Sequence, residues 1–158
     1  MTYRLRALGA SDVTELEQVR QFFRNYAAWL GVDFSYQGFA DEVANLPGAY
    51  GEAGGRLFFV EMDGVPCGCV GVRRFSEGVC EMKRLYVDPE MRGRGLGRQL
   101  ALAAIKAAQE LGYRRILLDT LPAMRIAMKL YRELGLSAAP ASSPSPVRGT
   151  VYPTPAPP

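Results

Sequence analysis

Histidine is absent from the 158 residues, and cysteine occurs only at Cys67, Cys69 and Cys80, with no CxxC spacing. Without histidine there is no Ser-His-Asp or Cys-His nucleophile arrangement, so proton transfer falls to Asp, Glu, Lys, Tyr, Cys or water. The same two scarcities exclude the usual Cys/His zinc site, and no metal is expected. Three thiols in no pairing pattern predict a reducing, cytoplasmic setting. Cys67 and Cys69 read as two small residues on one face of a strand. Long apolar runs are also missing. None reaches 18 residues, and residues 1–10 alternate basic and apolar side chains without the apolar stretch of a signal peptide, so neither a membrane span nor secretion is expected. Excess charge is small. Nineteen Lys and Arg against sixteen Asp and Glu give +3, too little to argue for a nucleic-acid or membrane partner.

A chain of this length, 48% hydrophobic and 22% charged, fits one soluble domain, since splitting is usual only beyond roughly 250 residues. Period-two alternation predicts a first strand over 3–8. Asp12 followed by Glu15 reads as a capping box opening a helix over 13–30, with a shorter helix at 38–45 ahead of Pro47. Strands follow at 57–62, 65–75 and 79–87, joined by Asp63-Gly64 and Glu77-Gly78 turns. A helix over 95–111, a short buried strand at 116–119 and a helix from Pro122 to Gly135 complete the series. The order β-α-α-β-β-β-α-β-α predicts a mixed α/β fold, an antiparallel meander feeding a βαβ unit. Seven of the eleven prolines fall in the last 19 residues. One edge strand over 147–152 would close a single domain of residues 1–152, leaving 153–158 as a proline-rich extended tail.

The segment most suggestive of chemistry is 81–97, Glu-Met-Lys-Arg-Leu-Tyr-Val-Asp-Pro-Glu-Met-Arg-Gly-Arg-Gly-Leu-Gly. Three glycines in five residues, between a strand and a helix, bare backbone N–H groups at the positive end of a helix dipole, a setting that suits a phosphate. Residues 82–98 hold five basic residues, Lys83, Arg84, Arg92, Arg94 and Arg98, against Asp88 and Glu90, which accounts for the whole net charge. A dinucleotide fingerprint starting at Gly93 would need glycine where Arg98 stands, and no Walker A string occurs. A glycine turn that only lets strand and helix pack closely is the plainer alternative.

Arg92, Gly95 and Gly97 resemble motif A, (Gln/Arg)-x-x-Gly-x-(Gly/Ala), of the GNAT superfamily of N-acetyltransferases. Ala127 through Leu136, with Leu130, Tyr131 and Gly135, is similar to its motif B, and the resemblance spans roughly residues 3–137. It implies a GNAT-like fold and acetyl transfer from acetyl-coenzyme A to a primary amine, without an acyl-enzyme. Backbone amides of Arg92, Gly93, Arg94, Gly95, Leu96 and Gly97, with Arg98, would then hold the pyrophosphate, and main-chain groups of Leu85 and Val87 the pantetheine. Glu81, 11 residues before Arg92, would take the amine proton through water, or else form a strand-face ion pair with Lys83. Tyr131 would face the departing sulfur, or else be a core aromatic. Met124 replaces an asparagine common in relatives, which removes a side-chain hydrogen bond to the cofactor. The stretch after Leu136 is Pro/Ser/Ala-rich where relatives have two final strands. The acceptor is a small-molecule or peptide amine, its side of the cleft lined by Tyr26, Trp29, Phe34, Tyr36 and Phe39 unless these are ordinary core. A homodimer is compatible with the sequence. The competing class is a non-catalytic module that binds or senses acyl-coenzyme A.

Overall fold

Two left-handed residues, Asp63 at φ 50° and Gly64 at φ 83°, form the tight hairpin signalled by the sequence. Such a turn matches the right-handed twist of strands, so β2 (Arg56–Met62) runs directly into β3 (Val65–Ser76), with Met62 opposite Val65. Gly78, at φ 73°, sits in the turn between β3 and β4 (Val79–Val87). In this computed structural model the described residues are 2–30, 38–119, 132–133, 137–139 and 148–152. Around the three-strand meander lie β1 (Tyr3–Ala7), α1 (Val13–Leu30), α2 (Phe39–Ala44), α3 (Leu96–Glu110), β5 (Arg115–Asp119), β6 (Ser137–Ala139) and β7 (Arg148–Tyr152). The sheet order is β1-β2-β3-β4-β5-β7-β6, antiparallel throughout except for the β4–β5 pair.

Each face of the sheet carries its own core. On one, Val70, Val72, Met82, Ile116 and Leu118 meet Leu96, Leu100, Ala101 and Ala104 of α3. On the other, Leu57, Phe59 and Tyr86 meet Val19, Phe22 and Phe23 of α1, with Val43 of α2 and Tyr50 of the 3-10 turn Gly48–Gly51. The helical spacing of the α1 positions becomes a buried stripe, worth roughly 1.5–3 kcal/mol for each large side chain removed from water. No helix among the described residues is long and apolar enough to cross a membrane.

Four expectations change. The 147–152 strand exists, as β7, but lies between β5 and β6 rather than at an edge. Residues 148–152 contain no proline, so every N–H is available for pairing, and the prolines bracket the strand instead of interrupting it. With β6 outside it, the chain after Leu136 does supply two final strands. Cys67 and Cys69 face opposite cores because the β2–β3 register slips between Val60 and Glu61. Asp12 accepts from Gly9 N–H at 2.7 Å and pairs with Arg6, as does Glu15, so both carboxylates are engaged outside a capping box. The helix from Pro122, Tyr131 within it and the tail 153–158 lie outside the described residues, apart from helical 132–133.

Candidate active site

A bulge in β4 shapes the centre of the sheet. Cys69 pairs with Tyr86 and Gly71 with Lys83, so Val70 of β3 faces two residues of β4, Arg84 and Leu85. Arg84 absorbs the extra residue at φ 60°, unusual for a side chain with a Cβ. Pairing between β4 and β5 runs from Val79 and Arg115 to Met82 and Leu118 and stops there. Residues 83–87 therefore continue past the last rung on the β5 side. Asp88 N–H donates to Cys67 O at 2.8 Å, toward β3, and strand alternation points the peptide groups of Val87 and Leu85 the other way, toward the opening. Arg92 Nε donates to the Val87 carbonyl at 2.9 Å from that side.

Directly after β4 comes the glycine loop. Pro89–Met91 forms one 3-10 turn, and Gly93 (φ 81°) and Gly95 (φ 82°) then take the left-handed conformation. Gly95 is the N-cap of α3, without a side-chain cap, and the first helix bond runs from Gln99 N–H to Gly95 O at 3.1 Å. The N–H groups of Leu96, Gly97 and Arg98 precede that bond and have no partner within the helix. A Cβ built at Gly93 or Gly95 meets nothing within 4 Å, so backbone conformation requires these glycines and the space above the loop is open. Leu96 is buried against the α3 core and anchors the loop, whereas Arg92, Arg94 and Arg98 are exposed. Lys83 and Arg84 do not join this basic patch; both are buried. The Arg92 guanidinium lies 4.7 Å from the ring centre of Trp29 and 5.9 Å from that of Tyr86, bridging the loop to α1. Of the acceptor-side aromatics, Tyr26 is core and Phe39 packs on it, Trp29 is exposed, and Phe34 and Tyr36 lie outside the described residues.

On the α1 and α2 face, β3 and β4 bring charged residues into the interior. Glu81 is 5% exposed; its Oε1 accepts from Arg73 Nε at 3.1 Å, and its Oε2 is 3.9 Å from Lys83 Nζ. Arg73, directly opposite Glu81 in register, is thus the nearer cation, with Lys83 second. Glu42 of α2 accepts from Arg73 Nη1 at 3.1 Å, from the Arg84 fork at 3.0 and 3.2 Å, and from the Tyr50 hydroxyl at 3.1 Å. Burial alone would raise the Glu42 carboxyl, but the hydrogen bond and charge of Arg84, with Arg73 and Lys83, hold it below the ordinary range. Burial, then the Glu42 charge, push the Tyr50 phenol well above its usual value, so it stays a donor. Sequence reasoning missed Glu42, Arg73 and Tyr50. The one available signal was Arg73, a charge two positions beyond Gly71 in alternation with core residues.

A sequence profile of the acetyltransferase (GNAT) family matches residues 16–136. A Schizosaccharomyces pombe protein named as an uncharacterized N-acetyltransferase is 35% identical over 140 residues, covering 87% of this chain and 86% of the relative. Among solved structures, a GNAT-family acetyltransferase from Staphylococcus aureus superposes with a TM-score of 0.75 at 18% identity, over 97% of this chain and 100% of the other. A phosphinothricin acetyltransferase from Sinorhizobium meliloti, solved in complex with acetyl-CoA, gives 0.70 at 20% identity, over 96% and 86%. At such identities the two structures speak for the fold.

Proposed function

The chain belongs to the acetyltransferase (GNAT) family, and from that premise we propose that it transfers an acetyl group from acetyl-CoA to a primary amine, borne by a small molecule or a peptide, through direct attack on the thioester. The observation that carries the reading is the juxtaposition of two open surfaces at one end of β4: the strand edge 83–87 beyond its last β5 rung, and the uncapped N-terminus of α3 under an uncovered glycine loop.

These surfaces suit the two halves of acetyl-CoA. The amides of 93–98 offer donors to the pyrophosphate, the Arg92 N–H instead closing the 3-10 turn on the Pro89 carbonyl, and Arg94 and Arg98 add positive charge at the loop surface. Main-chain groups of Leu85 and Val87 accept the pantetheine as an added strand, the Arg92 bond to the Val87 carbonyl giving way to an amide of the ligand. The thioester then lies at the bulge, between the α3 face and the buried charges. Glu81 takes the ammonium proton through water. The freed nitrogen lone pair forms the C–N bond, the C–S bond breaks with its electron pair leaving on sulfur, and the second proton lost from nitrogen passes to that sulfur, giving the amide and the coenzyme A thiol. Tyr131, carried over from the motif B resemblance, hydrogen-bonds to that thiolate.

Calorimetry with acetyl-CoA, followed by a thiol-release assay across a library of primary amines, tests the proposal. Micromolar binding with amine-dependent release is the expected result. Binding without release on any amine would leave a non-catalytic module, and absence of binding would refute the site.

A further inference from the structure

Glu81 is one end of a buried charge relay that reaches back to α2. A single guanidinium, Arg73, touches two carboxylates: its Nε donates to Glu81 and its Nη1 to Glu42, each at 3.1 Å. Glu42 also holds the Arg84 fork and the Tyr50 hydroxyl, and the Tyr50 ring stacks beside Arg73 at 5.8 Å. Arg73 is therefore tethered at its far end, and only its Nε is turned to Glu81. Other charged groups on this face, among the described residues, include Lys83 beside Glu81 on β4, Arg84 at the bulge, Arg115 on β5, two residues before Leu117, the register partner of Glu81, and Arg20 of α1, whose Nε donates to the Val43 carbonyl of α2 at 3.0 Å.

We propose that Glu42 is a positioning residue that keeps Glu81 serviceable as a proton acceptor, by drawing Arg73 away from a two-point grip on the Glu81 carboxylate. The proposal rests on the reading of Glu81 as the base. An arginine committed wholly to one carboxylate lowers that carboxylate's affinity for a proton by about 1–3 pH units, which makes a poor base at neutral pH. Sharing the guanidinium halves that grip, and the negative charge of Glu42 opposes a second negative charge nearby. Both effects oppose the grip of Arg73 on the Glu81 carboxylate. Glu42 can act in this way because Arg84, Arg73 and Lys83 keep it ionised.

The test follows the Glu81 carboxyl by 13C NMR titration of the glutamate-labelled protein, with the signal assigned from its loss in Glu81→Gln. No acceptor is needed. Glu42→Gln should lower the titration midpoint by about one pH unit, and Arg73→Gln should raise it by a similar amount. Glu42→Asp, which restores the charge, should return the midpoint toward wild type. Opposite movements in the two glutamine variants support the proposal; a midpoint unmoved in both, or moving the same way in both, overturns it. If Glu42→Gln fails to fold, Glu42→Ala, which also removes the charge, is read in its place by the same criteria. The turnover profile separates the two readings. If the midpoints move as expected but the acid limb of turnover does not follow, Glu42 tunes a carboxylate that is not the base, and the base reading fails. If Glu81→Gln abolishes the acid limb while the midpoints stay fixed, the base reading stands and the role of Glu42 falls.

Discussion

At the scale of the residue, a carboxylate buried between Arg73 and Lys83 can be a structural ion pair or a working base, and pH separates the two. Glu81→Gln should lower turnover roughly 10²-fold near neutral pH, with a smaller loss at high pH where the amine is already deprotonated. The measurement is a pH profile of thiol release with acetyl-CoA saturating. A uniform loss across pH, with a fall in melting temperature, would mark the pair as structural. Glu81 was singled out in the sequence because the family resemblance implies a carboxylate 11 residues before Arg92, which needs only counting along the chain. Glu42 was not. It sits 31 residues from Arg73 and 42 from Arg84, on a six-residue helix whose acidic residues look like solvated charges until the fold lays that helix over the sheet.

The element on which the proposed acetyl-CoA binding rests is the turn from β4 into α3. Gly95 is held at φ 82° with open space around it, so Gly95→Asp adds a carboxylate where phosphate oxygens are expected, and aspartate tolerates the left-handed region better than most residues. Acetyl-CoA affinity should fall at least about tenfold, since repulsion at the helix N-terminus replaces attraction there, while far-UV circular dichroism stays unchanged. Affinity within error of wild type would remove the phosphate from this loop. The loop could be read directly, because glycine is the residue that left-handed turns favour. The bulge that opens β4 could not, since the strained position is Arg84 and nothing in its side chain announces a positive φ. Nor could the place of β7, because a six-residue run between prolines looks the same at an edge as in the interior of a sheet.

For the whole molecule, acid is the simplest probe of how the buried charges hold the fold together. The Glu42 carboxyl is lowered in the folded state from the ordinary glutamate value of 4.5, so over the interval below that value the unfolded chain binds the extra proton. Its contribution to stability is therefore complete above about 4.5 and is lost as pH falls through the folded-state value. Asp12, lowered by its bond from Gly9, acts in the same direction at the surface, and Asp88, raised by burial, acts in the opposite one. Melting temperature should hold steady on descending to pH 5 and then drop, and the drop should be shallower in Glu42→Gln from its own lower plateau. Equal slopes in the two proteins would assign acid unfolding to other groups.

Alternation, helical spacing and turn chemistry determined by themselves the meander, the two long helices and the glycine loop, because each of those signals acts over a few residues and is set by local sterics and by which side must be apolar. Two motifs in order were enough to suggest the family. Only the tertiary structure decided that β4 parts from β5 after Met82, that β7 is interior, and that Glu42, Arg73 and Glu81 share one guanidinium. Each of these depends on groups far apart in the chain meeting in a low-dielectric interior, where a charge is stable only beside its partner, and a one-dimensional pattern carries no record of that pairing.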